Sequence, residues 1–383
     1  VGGLMQKRIR IVSAGIVLII ILIGLIVINN KSNNKYSFTQ DGIKYALTLD
    51  GEKITSFPSK GMYKAQVTCI GADGKWLYDD WKLAIENITS DNVTCDIKFE
   101  TIPKTNLNDY TISLAGTTQG LGQVVNENGY RYEGKNPNNY VWFNNEYWRI
   151  IGVFDSASHG QSNKNLVKII RADVLDGLVW HKSNSNDWTA ASLNKLLNGA
   201  YYNAQDGTSS GYCYGNSSSV TANCDYTKKG IQAGYRKMIA NVTWYLGGYS
   251  SNSATAESFY GYERGTIVSS GRPTSTTGYI GLMYPSDYGY SVLSSSCART
   301  TNLNSYSSST CAGASWLYGK GYEWTISPFS SNSLRVFYLD YYGNLDSYLA
   351  NNGYGARPVL YLDASVYKID GDGSLNNPYI VGM

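Results

Sequence analysis

Three pairs of cysteines, each pair close in sequence, set the strongest limit on how this chain can fold: Cys69 with Cys95, Cys213 with Cys224, and Cys297 with Cys311. An even number at such spacings points to disulfides formed outside a reducing compartment, each stabilising by about 2 to 4 kcal/mol, although other pairings remain formally possible. None forms a C-x-x-C unit, which argues against a zinc site or a thioredoxin-like redox motif. The chain therefore reads as an exported protein whose loops are clipped locally.

A second feature fits export. Ile11 to Ile28 is an almost unbroken apolar run, IVSAGIVLIIILIGLIVI, just long enough as a helix to cross a bilayer of about 30 Å. Lys7, Arg8 and Arg10 precede it and only Lys31 and Lys35 follow closely, so the short N-terminus is expected in the cytoplasm and the rest outside. The expectation is residues 1–30 as stub and uncleaved signal anchor of a single-pass cell-membrane protein, with a membrane contact at 11–28. A cleaved signal peptide is the competing reading, but no small-x-small site follows Ile28.

Residues 36–100 read as a small all-β module. Ile43 to Leu49 alternates, Asp50-Gly51 makes a turn, Tyr63 to Cys69 alternates again, and Val93 to Phe99 closes the unit. Cys69 and Cys95 are expected to clip neighbouring strands, since so small a core needs a staple. The segment resembles short sandwich-like modules repeated in surface proteins of Gram-positive bacteria and their cell-wall-poor relatives, which implies a stalk. Residues 101–134 are polar and Gly/Asn-rich and read as a connection.

From 135 to 383 the pattern predicts an α+β domain. Tyr140 to Phe143, a turn at Asn144-Asn145, and Tyr147 to Phe154 form a hairpin; Leu166 to Arg171 is a third strand. Thr189 to Asn198 and Gly230 to Ala240 carry apolar residues at helical spacing and are expected as two helices beside a mixed, mostly antiparallel sheet.

Near the C-terminus, Tyr322-Glu323-Trp324-Thr325 and Gly355-Ala356-Arg357-Pro358-Val359 bracket a middle rich in Tyr, Asn, Asp and Ser. Val336, Leu339, Leu345 and Leu349 recur there often enough to pin short strands. Tyrosine gives stiff, amphipathic contact area and Ser, Asn and Gly give adaptable hydrogen bonding, the composition of a paratope. E-W-T followed by G-x-R-P-V is similar to the closing motifs of the C-type-lectin-like fold in formylglycine-generating-enzyme-type domains and in variable proteins of diversity-generating retroelements. The resemblance implies a lectin-like fold, Arg357 as a buried hydrogen-bonding anchor, and a hypervariable ligand-binding region at 329–355. Its ligand-binding residues would be Tyr338, Asp340, Tyr341, Tyr342, Asn344, Asp346, Ser347, Tyr348, Ala350, Asn351, Asn352 and Tyr354. Adenine mutagenesis of an Asn codon never yields Lys, Glu, Gln, Met or Trp, and none of the five occurs from Phe329 to Gly355.

Little points to catalysis or a cofactor. The only histidines, His159 and His181, lie in loop-like segments and read as solvated. Enzymes of the resembled group use a reactive cysteine pair, for which Cys297 and Cys311 are the candidates, but only Arg299 stands near to lower a thiol pKa, so a loop disulfide is the simpler reading. Asp370-Gly371-Asp372-Gly373 lacks the remaining ligands of a calcium loop, so no metal is expected. The formal net charge of +3, without a basic patch interleaved with aromatics, argues against nucleic acid; 34 tyrosines point to extracellular recognition of a protein or a glycan. The expectation is a non-enzymatic adhesin or receptor, with a lectin-fold enzyme or an inert surface protein as the alternatives.

Overall fold

The computed structural model describes residues 10–13, 35–61, 63–78, 80–307, 311–319 and 321–383. The chain divides into two compact units, Val1–Lys104 and Thr105–Met383.

In the first unit, Thr94–Thr101 runs parallel to Ile43–Leu49 and antiparallel to Tyr63–Ile70. A second sheet pairs Lys82–Glu86 with Asp73–Leu77 and with Arg10–Ser13. Residues of both sheets share one core: Ile43, Tyr45, Ile97 and Phe99 meet Trp76, Leu83 and Ile85, together with Trp81 from the turn before Lys82. Cys69 lies directly opposite Cys95 in the strand register and is bonded to it, so the clip sits inside the sheet.

The expected membrane anchor is not supported. Arg10–Ser13 is a strand, as suits the β-branched Ile11 and Val12, where the helix was expected to begin. No helix among the described residues is long and apolar enough to cross a membrane, and the remainder of the run, residues 14–28, lies outside the described residues. The placement as a single-pass cell-membrane protein is withdrawn with the helix that carried it; the three disulfides are consistent with an extracellular protein.

The second unit corrects the α+β expectation. The protein is mostly β, 38% strand against 14% helix, and none of its six described α-helices exceeds eight residues. Its main sheet runs in the order Ile280–Gly281, Val359–Tyr361, Leu166–Arg171, Glu146–Phe154, Tyr140–Phe143, Tyr379–Gly382, Tyr367–Asp370, Thr105–Asn106. The helix expected over Thr189–Asn198 begins later, at Ser192, because Asp187 ties the Thr189 amide and hydroxyl into a turn at 2.9 and 2.6 Å, and it continues past Gly199 through a wider π turn, Leu197–Tyr201. The helix expected over Gly230–Ala240 is one turn, Ala233–Arg236: the Ala240 amide donates to Tyr361 O and Ile239 bridges Leu362, drawing that end into the sheet.

Residues 105–134 belong to the larger unit, as the helix Leu107–Ser113 and the hairpin Leu121–Asn126/Tyr130–Asn136. That hairpin turns on Asn128 (φ 50°) and Gly129 (φ 114°), an Asn-Gly signal present in the sequence. A separate five-stranded sheet carries the C-terminal bracket, in the order Leu175–Val179, Gly353–Ala356, Glu323–Pro328, Arg335–Leu339, Leu345–Leu349.

Candidate functional site: a tyrosine face on the C-terminal sheet

The two bracket motifs meet as neighbouring strands, with Glu323 opposite Gly355 in a parallel pair. Arg357 is buried and donates through Nε to Glu323 Oε1 at 2.6 Å and through Nη2 to Glu323 Oε2 at 2.8 Å and Leu317 O at 2.7 Å. Burial pushes the Glu323 pKa up, against the opposing pull of Arg357. This fork-to-fork pair is the anchor of the frame.

Strand alternation decides which residues of the bracketed segment face out. Trp324 pairs with Tyr338, Tyr338 with Asp346, and Val336 with Tyr348, so these share one face, while Phe337 pairs with Ser347 and Leu339 with Leu345 on the other. Phe337 packs into the core against Phe259, centroids 5.1 Å apart. On the opposite face the rings converge on Tyr354, whose centroid lies 5.1 Å from Tyr322, 4.6 Å from Trp324, 4.8 Å from Tyr338 and 6.2 Å from Tyr348. Trp324 is fully buried beneath; Tyr322 and Tyr348 are 49% and 39% exposed. Burial, then Tyr348, Tyr322 and Asp346, pushes the Tyr354 phenol up to about 12, so it stays a donor at neutral pH. Burial, then Asp346, raises Tyr338 too.

At the hairpin tip the Asp340 carboxylate accepts from the amides of Tyr342 and Asn344, both at 2.8 Å, and from Asn344 Nδ2 at 3.1 Å. Gly343 turns there at φ 95°, and a Cβ on it would stand 2.4 Å from Ala312 Cβ. Tyr288 OH donates to Gly343 O at 2.7 Å and Tyr318 OH to Tyr341 O at 2.6 Å. The tip is thus fixed, and it holds Tyr341 and Tyr342 outward at 55% and 62% exposure.

Of the twelve expected contact residues, Tyr341, Tyr342 and Tyr348 are exposed and Asp340, Asn344, Asp346, Asn351, Asn352 and Tyr354 are part-buried. Ser347, Ala350 and Tyr338 are buried. Ser347 shares the inward face with Leu345 and Leu349, a period-two pattern that composition alone ignores. Ala350 N donates to Leu334 O at 2.9 Å and Ala350 O accepts from His181 N at 2.8 Å, so it is packed between two segments. Asp346 accepts from Asn252 Nδ2 at 2.6 Å. Tyr322 was missed although it lies two residues before Trp324, on the same side of an extended strand. The 206–225 loop, closed by Cys213–Cys224, also reaches the site: Ser217 bridges Asn352.

The expected solvated histidines are in the core. His159 is buried with Nε2 3.1 Å from Phe154 O and Nδ1 accepting from Gln161 N at 3.1 Å; His181 Nδ1 accepts from Ser183 N at 3.0 Å. Burial pushes both pKa values down. Cys297 and Cys311 are bonded to each other. Among the described residues no group of three or more His, Cys, Asp or Glu is arranged to hold a metal ion.

Compared with known proteins, the chain matches no family model, no curated protein and no solved structure.

Proposed function

We propose that the face formed by Tyr322, Tyr348 and Tyr354, extended by the tip residues Tyr341 and Tyr342, binds an extracellular protein or glycan. The observation that carries this reading is the packing of exposed tyrosines over a buried tryptophan, on a sheet whose other side is core. Rings so supported lose little freedom on binding, and large aromatics are the residues that most often dominate contact energy. Asp346, Asn351 and Asn352 border the face and supply hydrogen bonds. The similarity of the bracketing motifs to those of retroelement variable proteins adds that the outward positions are hypervariable. Those positions are Asp340, Tyr341, Tyr342, Asn344, Asp346, Tyr348, Asn351, Asn352 and Tyr354, without the buried Tyr338, Ser347 and Ala350.

The test is a screen of the folded protein against arrayed glycans and cell-surface proteins. At least one partner is expected whose binding is lost when Tyr341, Tyr342 and Tyr348 are changed to Ala while Tm stays nearly constant; unfolding of that variant would assign the rings to the core. Sequencing the 3′ end of the gene across a population tests the variability separately. Substitutions should collect at the outward positions, matching adenines in a nearby repeat.

A further inference from the structure

Away from the tyrosine face, the larger unit buries an amine against a carboxylate. Lys168, on the Leu166–Arg171 strand, and Asp287, in the first turn of the Pro285–Tyr290 helix, each expose 1% of their side chains, and Nζ lies 2.5 Å from Oδ2. The ring centroids of Tyr284, Tyr361, Phe154 and Trp244 stand 4.3, 5.6, 5.7 and 5.7 Å from Nζ. Asp287 Oδ2 is the one hydrogen-bond acceptor of Nζ among the described residues. A buried ammonium carries three hydrogens: one is met by Oδ2 and the others only by ring faces, whose cation–π attraction replaces the lost hydration in part. Burial accordingly pushes the Lys168 pKa down to about 8.

The carboxylate is held at both oxygens. Arg131 Nη1 donates to Oδ1 at 3.1 Å and the Tyr284 amide donates to Oδ2 at 2.9 Å. We propose that Lys168 Nζ and Asp287 Cγ condense to an intramolecular amide that cross-links the central sheet to this helix. Transfer of one proton from Nζ to Oδ2 across their contact gives an amine and a carboxylic acid without changing the net charge. The amine lone pair forms the N–Cγ bond while the C=O π pair moves onto Oδ1, where Arg131 meets the developing negative charge. Collapse restores C=O and breaks Cγ–Oδ2; this oxygen leaves as water, with the first proton and a second from nitrogen. The products are one amide and one water, and nothing is oxidised or reduced.

Fixed proximity replaces the activation that an amine and an acid need in solution, and the aromatic surround keeps out the water that would reverse the step. Against the upward push of burial, Lys168 and then Arg131 hold Asp287 below the usual carboxylate range, so the neutral pair is the minor species. The reaction is therefore slow, and it occurs once per molecule.

Mass spectrometry of the purified, reduced and denatured chain tests it. Trypsin does not cut after an acylated lysine or before Pro273, so the link joins peptide 165–171 to peptide 265–299 as one species, a water lighter than their sum. Asp287→Ala leaves Lys168 free for cleavage and must give peptides 165–168, 169–171 and 265–299 separately, whether or not it folds. Wild-type protein yielding only free Lys168, or a link mapped to other residues, overturns the proposal.

Discussion

Around Asp287 the larger unit gathers Arg131, Lys168, Glu263 and Arg264, and the five side chains are 0 to 13% exposed. The hairpin from Arg335 to Leu349 does the reverse, sending Tyr341, Tyr342 and Tyr348 into solvent. The first region places charge where water is scarce, so removing one partner leaves another uncompensated. The second places rings where water is plentiful, so each can change without leaving a stranded polar group. Interior charge fixes the arrangement of strands and helices; exterior aromatics are available for contact. Arg357 and Glu323 join the two regimes, since this buried pair ties the strands that carry the tyrosines.

The largest effect should come from breaking that tie. Arg357→Ala leaves Glu323 buried and unpaired, and a loss of about 3–5 kcal/mol is expected in denaturant unfolding. A loss under about 1 kcal/mol would place the pair with surface ion pairs and erase the contrast.

Glu263 sharpens the interior side through pH. It accepts from Ser286 N at 2.8 Å and Ser286 Oγ at 2.5 Å, and burial pushes its pKa up from 4.5 to about 7. A carboxyl raised on folding gives stability that is complete below 4.5 and is lost as pH rises through about 7. The buried histidines act oppositely: their lowered values give stability present above 6.5 and lost as pH falls. The difference between wild type and Glu263→Gln isolates the glutamate. It should change by on the order of 3 kcal/mol across that window, with wild type losing ground as pH rises.

Gly343→Ala tests the hairpin tip, where φ is 95° and Ala312 leaves no room for a methyl group. A cost of about 1–3 kcal/mol is expected by thermal unfolding, together with weaker binding. The smallest effect belongs to Tyr342→Ala, which should change stability by no more than about 0.5 kcal/mol. A larger loss there would show that the outward rings support the fold.

Much of this could be read from residue order. The Tyr140–Phe143 hairpin, its Asn144-Asn145 turn at φ 58° and 60° and the Leu166–Arg171 strand are where the pattern put them, and Arg357 is the buried anchor that the resemblance of its motif implied. The helix at 230–240 was overestimated because periodicity there reports burial on one side, and sheet bonds from Ile239 and Ala240 compete for the same backbone. The buried charges were invisible, because nothing local shows that Lys168 and Asp287 meet. Ser347 was a readable error: Leu345, Ser347 and Leu349 alternate with Asp346 and Tyr348.

The strand Tyr379–Gly382 occupies an interior place in the main sheet, parallel to Tyr140–Phe143 on one side and antiparallel to Tyr367–Asp370 on the other. A ribosome making this chain therefore emits nearly the whole larger unit before that sheet can be completed. Pairing so remote in sequence forms slowly, and the tyrosine hairpin waits in an unfinished molecule. Deletion mapping from the C-terminal side will consequently mislead: removing residues 379–382 takes out a central strand, and the binding lost with it says nothing about where the ligand sits.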